Sequence, residues 1–355
     1  VLVEKNRMVQ LFRKTTTYAE DLSSLRDHID EKKQEAFVTL NDILLSEFDG
    51  QLGIKFEQAT WDVKENAEDK PIKRALTIKD IEALRPFHWG FEFDEIINQQ
   101  GGFDAIITNP PWDVLQTNEK EFFQEYAPAI QRKKLRIEDW EKQRHKLLRD
   151  PEIQASWLAY ASRFPHQWGY FKKSRQYVNQ ISSVNGKAVG NKPNLYSLFA
   201  ERNFNLLREG GYCGIVIPSG IYTDLGTKQL REMLFGQTKV TGLFCIENRK
   251  NVFENVDSRF KFVVLTFEKG NSTESFPAAF MRHDVAELDR FPQEGSIAIS
   301  VDLVRRLSPD SLSVMEFKNN QDVQIAQKIS VYPLLFGDPK GWNFELYGEE
   351  LQGNR

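Results

Sequence analysis

The sequence predicts an α/β fold, and three observations carry that expectation. Short β-branched runs that read as buried strands stop at proline: Ala105 to Thr108 is followed by Asn109-Pro110-Pro111, and Tyr212 to Ile217 by Pro218. From Asn194 onward the order reads helix, strand, helix, strand, strand, which fits the second half of a Rossmann-like sheet whose last pair closes as a hairpin. A chain of 355 residues with 40% hydrophobic content has room for about two domains and a full core.

In order along the chain, residues 1 to about 48 are charged and free of proline. Leu22, Leu25, His28 and Ile29, then Phe37, Leu40, Ile43 and Leu44, recur at three- and four-residue spacing and predict an antiparallel helical pair. Asp49 to Lys70 reads as a polar connection, and Thr77 to Leu84 as a short helix stopped by Pro86. The aromatic run Phe87 to Phe93 predicts a strand. From about 119 to 190 the reading is a helical, aromatic and cation-rich insertion, its last part (Ser182 to Lys192) a flexible loop. Asn194, after Pro193, is placed to cap a helix running to Gly210-Gly211. The strand Tyr212–Ile217, a helix Thr227–Phe235 and the strands Val240–Ile246 and Phe260–Phe267 follow. Beyond Glu268, Asn271 to Phe276 reads as a linker, Arg282 to Phe291 as a short helix and Ile297 to Val301 as a strand. Asp302–Leu307 and Gln321–Ile329 read as helices. The expected division is a helical N-terminal segment (1–80), an α/β body (81–270) and a further region (271–355).

Net charge is −4, so a nucleic-acid surface would be a local patch. Two cysteines, Cys213 and Cys245, in strand-like runs suggest neither a disulfide framework nor a metal site. No apolar run approaches membrane-spanning length and no signal peptide is visible, which reads as a soluble, cytoplasmic protein. The chain starts at Val1, already inside a helical pattern, as a piece of something longer would.

The stretch Asn109-Pro110-Pro111-Trp112 carries chemistry. Two prolines forbid further sheet pairing and helix entry, leaving a stiff turn at the carboxyl end of a strand, where open α/β sheets bind ligands. It presents an amide side chain, a carbonyl at Pro110 and an indole. An exocyclic aromatic amine is a poor nucleophile because its lone pair is delocalised into the ring. If the Asn109 oxygen and the Pro110 carbonyl accept its hydrogens, the nitrogen moves towards sp³ geometry and the pair is released. Trp112 would stack on the base. Each acceptor could be worth roughly 3–4 kcal/mol, by analogy with oxyanion-hole donors. The plain alternative is a Pro-Pro turn closing a strand, with Trp112 as core packing.

This stretch resembles motif IV of the amino-methylating DNA methyltransferases. In that family the preceding strand ends in an acid and an apolar residue that meet the adenine of S-adenosylmethionine (AdoMet). The resemblance places Glu92 and Phe93 there, with a surface glutamate on a core strand as the alternative. Asn194-Leu195-Tyr196, Arg208-Glu209-Gly210-Gly211, Val216-Ile217-Pro218 and Asn251-Val252-Phe253 follow in family order. Over roughly Phe87 to Lys269 the chain therefore resembles the catalytic half of a class I, gamma-arranged DNA adenine-N6 methyltransferase. The large type IIG restriction–modification and phage-defence enzymes are of this kind. The resemblance implies a partial Rossmann-like methyltransferase sheet, with residues 271–355 leading into a target-recognition domain. It implies double-stranded DNA as partner and an extruded adenine stacked by Trp112 and Phe253, where core packing is the alternative for Phe253. Arg132, Lys133, Lys134 and Arg136 are candidates for DNA phosphates; the alternative is a solvated helix with inward-packed aromatics.

One departure stands out. The glycine-rich loop that cradles AdoMet in this family is missing, because Gly210-Gly211-Tyr212-Cys213-Gly214 follows a helix and opens a strand, the reverse of the required order. The loop is expected before Val1 or on a partner chain. The Pro-Cys motif of cytosine-C5 enzymes is absent, as is a defensible Pro-Asp…Glu-x-Lys nuclease signature. A protein- or RNA-directed methylase and a non-catalytic DNA-binding relic remain as alternatives.

Overall fold

The computed structural model describes residues 1–14, 19–62, 64, 67–126, 137–184, 187–189, 192–254 and 256–331. Helices α1 (Leu2–Lys14) and α2 (Ala19–Leu45) precede a hairpin of β1 (Phe56–Asp62) and β2 (Ala67–Arg74). Helices α3 (Ile78–Ala83) and α4 (Trp89–Glu92) lead to strand β3 (Phe103–Thr108). The insertion contains α5 (Glu119–Gln124), α6 (Ile137–Leu147), α7 (Pro151–Ala161) and α8 (Pro165–Lys173), then β4 (Ser182–Val184) and β5 (Lys187–Val189). Helix α9 (Leu195–Leu206), strand β6 (Leu207–Pro218) and helices α10 (Gly220–Thr223) and α11 (Lys228–Gln237) come next. Strands β7 (Thr238–Glu247), β8 (Lys261–Lys269), β9 (Ser275–Arg282) and β10 (Ile297–Ser300) precede α12 (Val301–Leu307) and α13 (Asn320–Ser330).

The α/β class is as expected. The main sheet has six strands in the order β10-β9-β7-β8-β6-β3. β8 runs antiparallel to both β6 and β7, with Pro218 and Ile246 each opposite Phe262, while β7 and β9 are parallel. β3 and β6 ascend together: Gly211 lies against the Phe103 carbonyl and Gly214 against Ile107. Two glycines make this approach possible. A Cβ on Gly211 would sit 2.8 Å from the Phe103 oxygen, and Gly102, at φ +135°, would place one 2.5 Å from the Arg208 nitrogen. The carboxyl ends of β3, β6 and β7 and the amino end of β8 therefore share one end of the sheet.

The chain divides into two compact units: one comprises Val1–Asp104, Pro111–Ile181 and Gly190–Gly211, the other Ala105–Pro110, Ser182–Val189 and the chain from Tyr212 on. In the first, Phe48, Ile54, Leu76 and Ile81 form one core cluster, and Phe123, Trp140, Leu148 and Trp157 a second. Helices α2, α4, α8 and α9 also line an open cleft of about 970 Å³, whose walls include the apolar residues Leu40, Phe91, Phe171 and Leu198. In the second unit, Ile215, Cys245, Val263, Phe267 and Ile299 are fully buried in the sheet.

Several local expectations are corrected. Phe87–Phe93 is not a strand but contains a helical turn, α4. Its aromatics sit at i,i+4, so Trp89 stacks on Phe93 at 5.7 Å while Phe91 turns towards Phe37 at 6.1 Å. The polar connection 49–70 contains most of the β1–β2 hairpin, which escaped notice because every residue of β2 is exposed and shows no alternation. Ser182–Lys192 contains the β4–β5 ribbon rather than a plain loop. The linker at 271–276 and helix at 282–291 give way to β9 and a 3-10 turn at Val285–Arg290. Pro277 argues against a strand, yet it lies just outside the stretch of β9 that pairs with β7, opposite Ala298 of β10.

Candidate functional site

β3 delivers Asn109 to the carboxyl end of the sheet. Asn109 is exposed, Pro110 buried, Pro111 exposed and Trp112 half-buried. The buried first proline anchors the turn while the amide of Asn109 reaches solvent, as a ligand-facing acceptor must. Immediately after Trp112 the chain is pinned by the start of α9. Leu195 N–H donates to the Asp113 carbonyl at 2.9 Å and Leu115 N–H to the Pro193 carbonyl at 2.8 Å. Asn194 is the N-cap residue as expected, but its side chain makes no cap hydrogen bond; it forms a backbone bridge with Val114 instead.

Two other loops meet the same end of the sheet. After β6, Arg231 is 1% exposed and fastens the turn around α10. Its guanidinium donates to the carbonyls of Ile221, Asp224 and Ser311 and to the Thr227 hydroxyl at 2.6–2.8 Å. Beside it the Tyr222 hydroxyl donates to Glu316 at 2.8 Å, and Glu316 also holds Lys261 at 2.6 Å. Burial pushes the Tyr222 phenol far up from its usual range. After β7, Phe253 is half-buried and packs edge-on to Phe262 at 4.9 Å. Its backbone is held at both N–H and carbonyl by the side chain of Asn248. Sequence reasoning found Phe253 and missed Asn248. The available signal was an asparagine directly after a strand, a residue type whose side chain often bonds nearby backbone.

Glu92 and Phe93 end α4 in the other compact unit, and their surroundings are crowded. Glu92 is half-buried, and one of its oxygens pairs with Lys33 at 3.0 Å. Lys5, 3% exposed, donates to the Phe91 carbonyl and is pushed below the usual lysine range by burial. Asp94 accepts from Asn6 and Asn98 at 2.7 and 2.6 Å, which holds its carboxyl below the usual range. Phe93 meets Phe103 edge-on at 5.2 Å. The second oxygen of Glu92 and a half-buried aromatic face are what this corner offers to a heteroaromatic amine, so the residues fit an adenine in chemical type.

Within the insertion, Trp140 and Trp157 are buried in a core cluster, Tyr170 stacks on Phe48 at 4.5 Å, and the Trp168 N–H donates to the Leu115 carbonyl. These aromatics pack inward. Arg132, Lys133, Lys134 and Arg136 lie outside the described residues. Among the described residues no group of three or more His, Cys, Asp or Glu is placed to hold a metal ion, and no helix is long and apolar enough to cross a membrane.

Comparison with known proteins adds a family. The model of the Eco57I restriction-modification methylase family matches residues 9–144 and 169–253, more than half of the chain. A Methanocaldococcus jannaschii protein bearing the name of a type II restriction enzyme and methyltransferase is 42% identical over 59 residues, 16% of this chain and 5% of that protein. A type I modification subunit from Vibrio vulnificus aligns at 11% identity and a TM-score of 0.36, over 63% of this chain and 40% of the other. A type I methyltransferase subunit from Streptococcus thermophilus gives 11% and 0.35, over 59% and 37%. The chain thus spans less than half the length of each of these relatives.

Proposed function

Because the chain belongs to the Eco57I restriction-modification methylase family, we propose that it is the catalytic part of a site-specific DNA methyltransferase acting on adenine N6. The observation that carries this reading is the turn itself: an exposed Asn109 held at the carboxyl end of β3 by a buried Pro110.

The methyl donor in this reading is AdoMet, which supplies an electrophilic methyl on a sulfonium. Glu92 would accept from the adenine amine of the donor through the oxygen not used by Lys33, and Phe93 would lie on its ring. Asn109 Oδ1 and the Pro110 carbonyl accept the two hydrogens of the target amine. They would concentrate the lone pair on nitrogen and carry the positive charge that grows there as the bond to carbon forms, the carbon–sulfur bond breaking to leave a neutral thioether and the surplus amine proton passing to solvent. Because that charge is greatest in the transition state, these acceptors lower the barrier more than they tighten ground-state binding. Trp112, with Phe253, offsets part of the few kcal/mol needed to extrude the base, at roughly 1–3 kcal/mol per stacked ring.

The remainder of the reading concerns partners. Duplex DNA is the substrate, with Arg132, Lys133, Lys134 and Arg136 on its phosphates and residues 271–355 leading into the part that reads sequence. The glycine-rich donor loop comes from a longer polypeptide, as in type IIG enzymes, or from another chain. Cover by such a partner is supported by β3, which among the described residues is the last strand of the sheet and carries Ile107, 89% exposed, on its face. A cytoplasmic location goes with this role.

The test is methyl transfer from labelled AdoMet into a mixed-sequence duplex by the full-length polypeptide, or by the complex that supplies the donor loop, followed by digestion to nucleosides. Label in N6-methyladenine supports the reading. Label in N4-methylcytosine, in RNA or in protein, with none in adenine, overturns it.

A further inference from the structure

Asn248 spends every polar atom it has on the loop between β7 and β8, and it is 0% exposed. Its own N–H donates to the Phe260 carbonyl at 2.9 Å, which joins the two ends of the loop. Its carbonyl accepts from Asn251 N–H at 3.0 Å, and Asn251 adopts a left-handed turn at φ +52° that sends the chain back towards Phe253. The side chain does the rest: Oδ1 accepts from Phe253 N–H at 3.0 Å, and Nδ2 donates to the carbonyls of Phe253 and Val256 at 2.8 and 2.9 Å. One amide thus fixes both peptide groups that flank the Phe253 side chain.

The surroundings show why such a clamp is needed. Asn251, Val252, Glu254 and Asp257 to Phe260 are all exposed, so little apolar burial orders the loop. A loop with few buried contacts samples many conformations unless hydrogen bonds select one. A buried amide is costly unless each of its groups is paired, and here each is. The three side-chain bonds require one acceptor and two donors in a single plane. Aspartate lacks the donors, and alanine and leucine lack all three.

We propose that Asn248 is a positioning residue that presets Phe253 to receive the extruded base. This rests on the reading of transfer to an extruded adenine and adds how the second stacking ring is made ready. The loop leaves β7 and returns into β8, two strands from β3, a lateral distance of about 10 Å at the usual strand spacing. A ring fixed on that loop would close one side of a slot for the base. A ring on an unfixed loop is in the competent position only part of the time, and the apparent affinity for the extruded base falls by that fraction.

The experiment uses 2-aminopurine, an adenine analogue whose fluorescence rises when it leaves the stack, placed in a pool of duplexes covering all sequence contexts. Wild type, Asn248→Ala, Asn248→Asp, Phe253→Ala and the double variant Asn248→Ala/Phe253→Ala are compared, with melting curves for each. Wild type gives the fluorescence rise. Asn248→Ala is expected to weaken the apparent affinity for the extruded state by about tenfold. Asn248→Asp keeps the acceptor but turns a carboxylate oxygen on the Phe253 and Val256 carbonyls, so its loss should be at least as large, and it replaces the alanine variant if that one does not fold. The double variant should match Phe253→Ala alone, because Asn248 acts through the ring. An undiminished signal in Asn248→Ala or in a folded Asn248→Asp overturns the proposal. So does a double variant showing the product of the two separate losses. No rise with wild type is a different failure: it removes base extrusion itself, and this inference with it.

Discussion

Glu92 and Lys33 form an ion pair of 3.0 Å that ties the end of α4 to α2. The pair gives Glu92 a structural occupation, while the proposed function gives it a second one at its other oxygen. Replacing Glu92 with alanine separates the two. A partly exposed pair contributes about 0–1 kcal/mol, so stability should fall little. Loss of a hydrogen bond to a charged acceptor, worth roughly 1.5–3 kcal/mol, should raise the AdoMet dissociation constant by about tenfold to a hundredfold. Titration of AdoMet with a parallel melting curve reads both. Unchanged affinity with a lowered melting point would leave Glu92 as a tether for α2 alone.

A second prediction concerns acid stability. His166 is 3% exposed and stacks on Phe56 at 5.4 Å, with Arg74 on that same ring at 3.9 Å and Asp80 bonded to Arg74. Burial pushes its imidazole below the ordinary range, and Asp80 opposes the shift only in part. The folded state therefore stays neutral at pH values where the unfolded chain has begun to bind a proton. Stability is full above about pH 6.5 and declines as pH falls below it, until the folded imidazole also titrates. His88 is shifted the same way by burial and adds to the slope. His166→Phe should flatten the dependence of melting temperature on pH between 7 and 5. A slope equal to that of wild type would mean that His166 is not the group responsible.

The cations of the insertion give a third. Replacing Arg132, Lys133, Lys134 and Arg136 with glutamine should weaken binding to unrelated duplexes by a similar factor. It should also flatten the log–log salt dependence by up to about 3–4 units, at about 0.9 per phosphate contact. Sequence preference should be unchanged, since phosphate contacts position and base contacts specify. A salt titration on two duplexes with the same slope for both proteins would remove these residues from the DNA interface.

What was legible in the sequence follows from the kind of force involved. β3 was legible as a strand because an apolar run ended by two prolines has few other readings, but its burial was not: Ala105 and Ile107 are exposed, since β3 is the last strand of the sheet. β7 and β8 announced themselves through long apolar runs, which suit strands covered on both faces. α4 was misread because a count of aromatics hides their i,i+4 spacing, and β2 was missed because an exposed strand has no hydrophobic alternation to display. The clamp of Asn248 on Phe253 depends on how a loop folds back on its own first residue. An asparagine directly after a strand hints at such a bond, but neither composition nor period names its partners. Arg231 was invisible for a similar reason, since apart from the Thr227 hydroxyl its partners are main-chain carbonyls, of Ile221 and Asp224 in the preceding turn and of Ser311 far along the chain.

The central claim is that Asn109 meets the reacting amine. Its most direct measurement is the single-turnover rate of methyl transfer to adenine by Asn109→Ala in the full-length parent, alongside AdoMet and DNA binding. Loss of an acceptor engaged mainly in the transition state should reduce the rate by roughly a hundredfold to a thousandfold, with both affinities within a few-fold of wild type. Methyl transfer within tenfold of wild type would contradict the account and return Asn109-Pro110-Pro111 to the role of a turn that closes a strand.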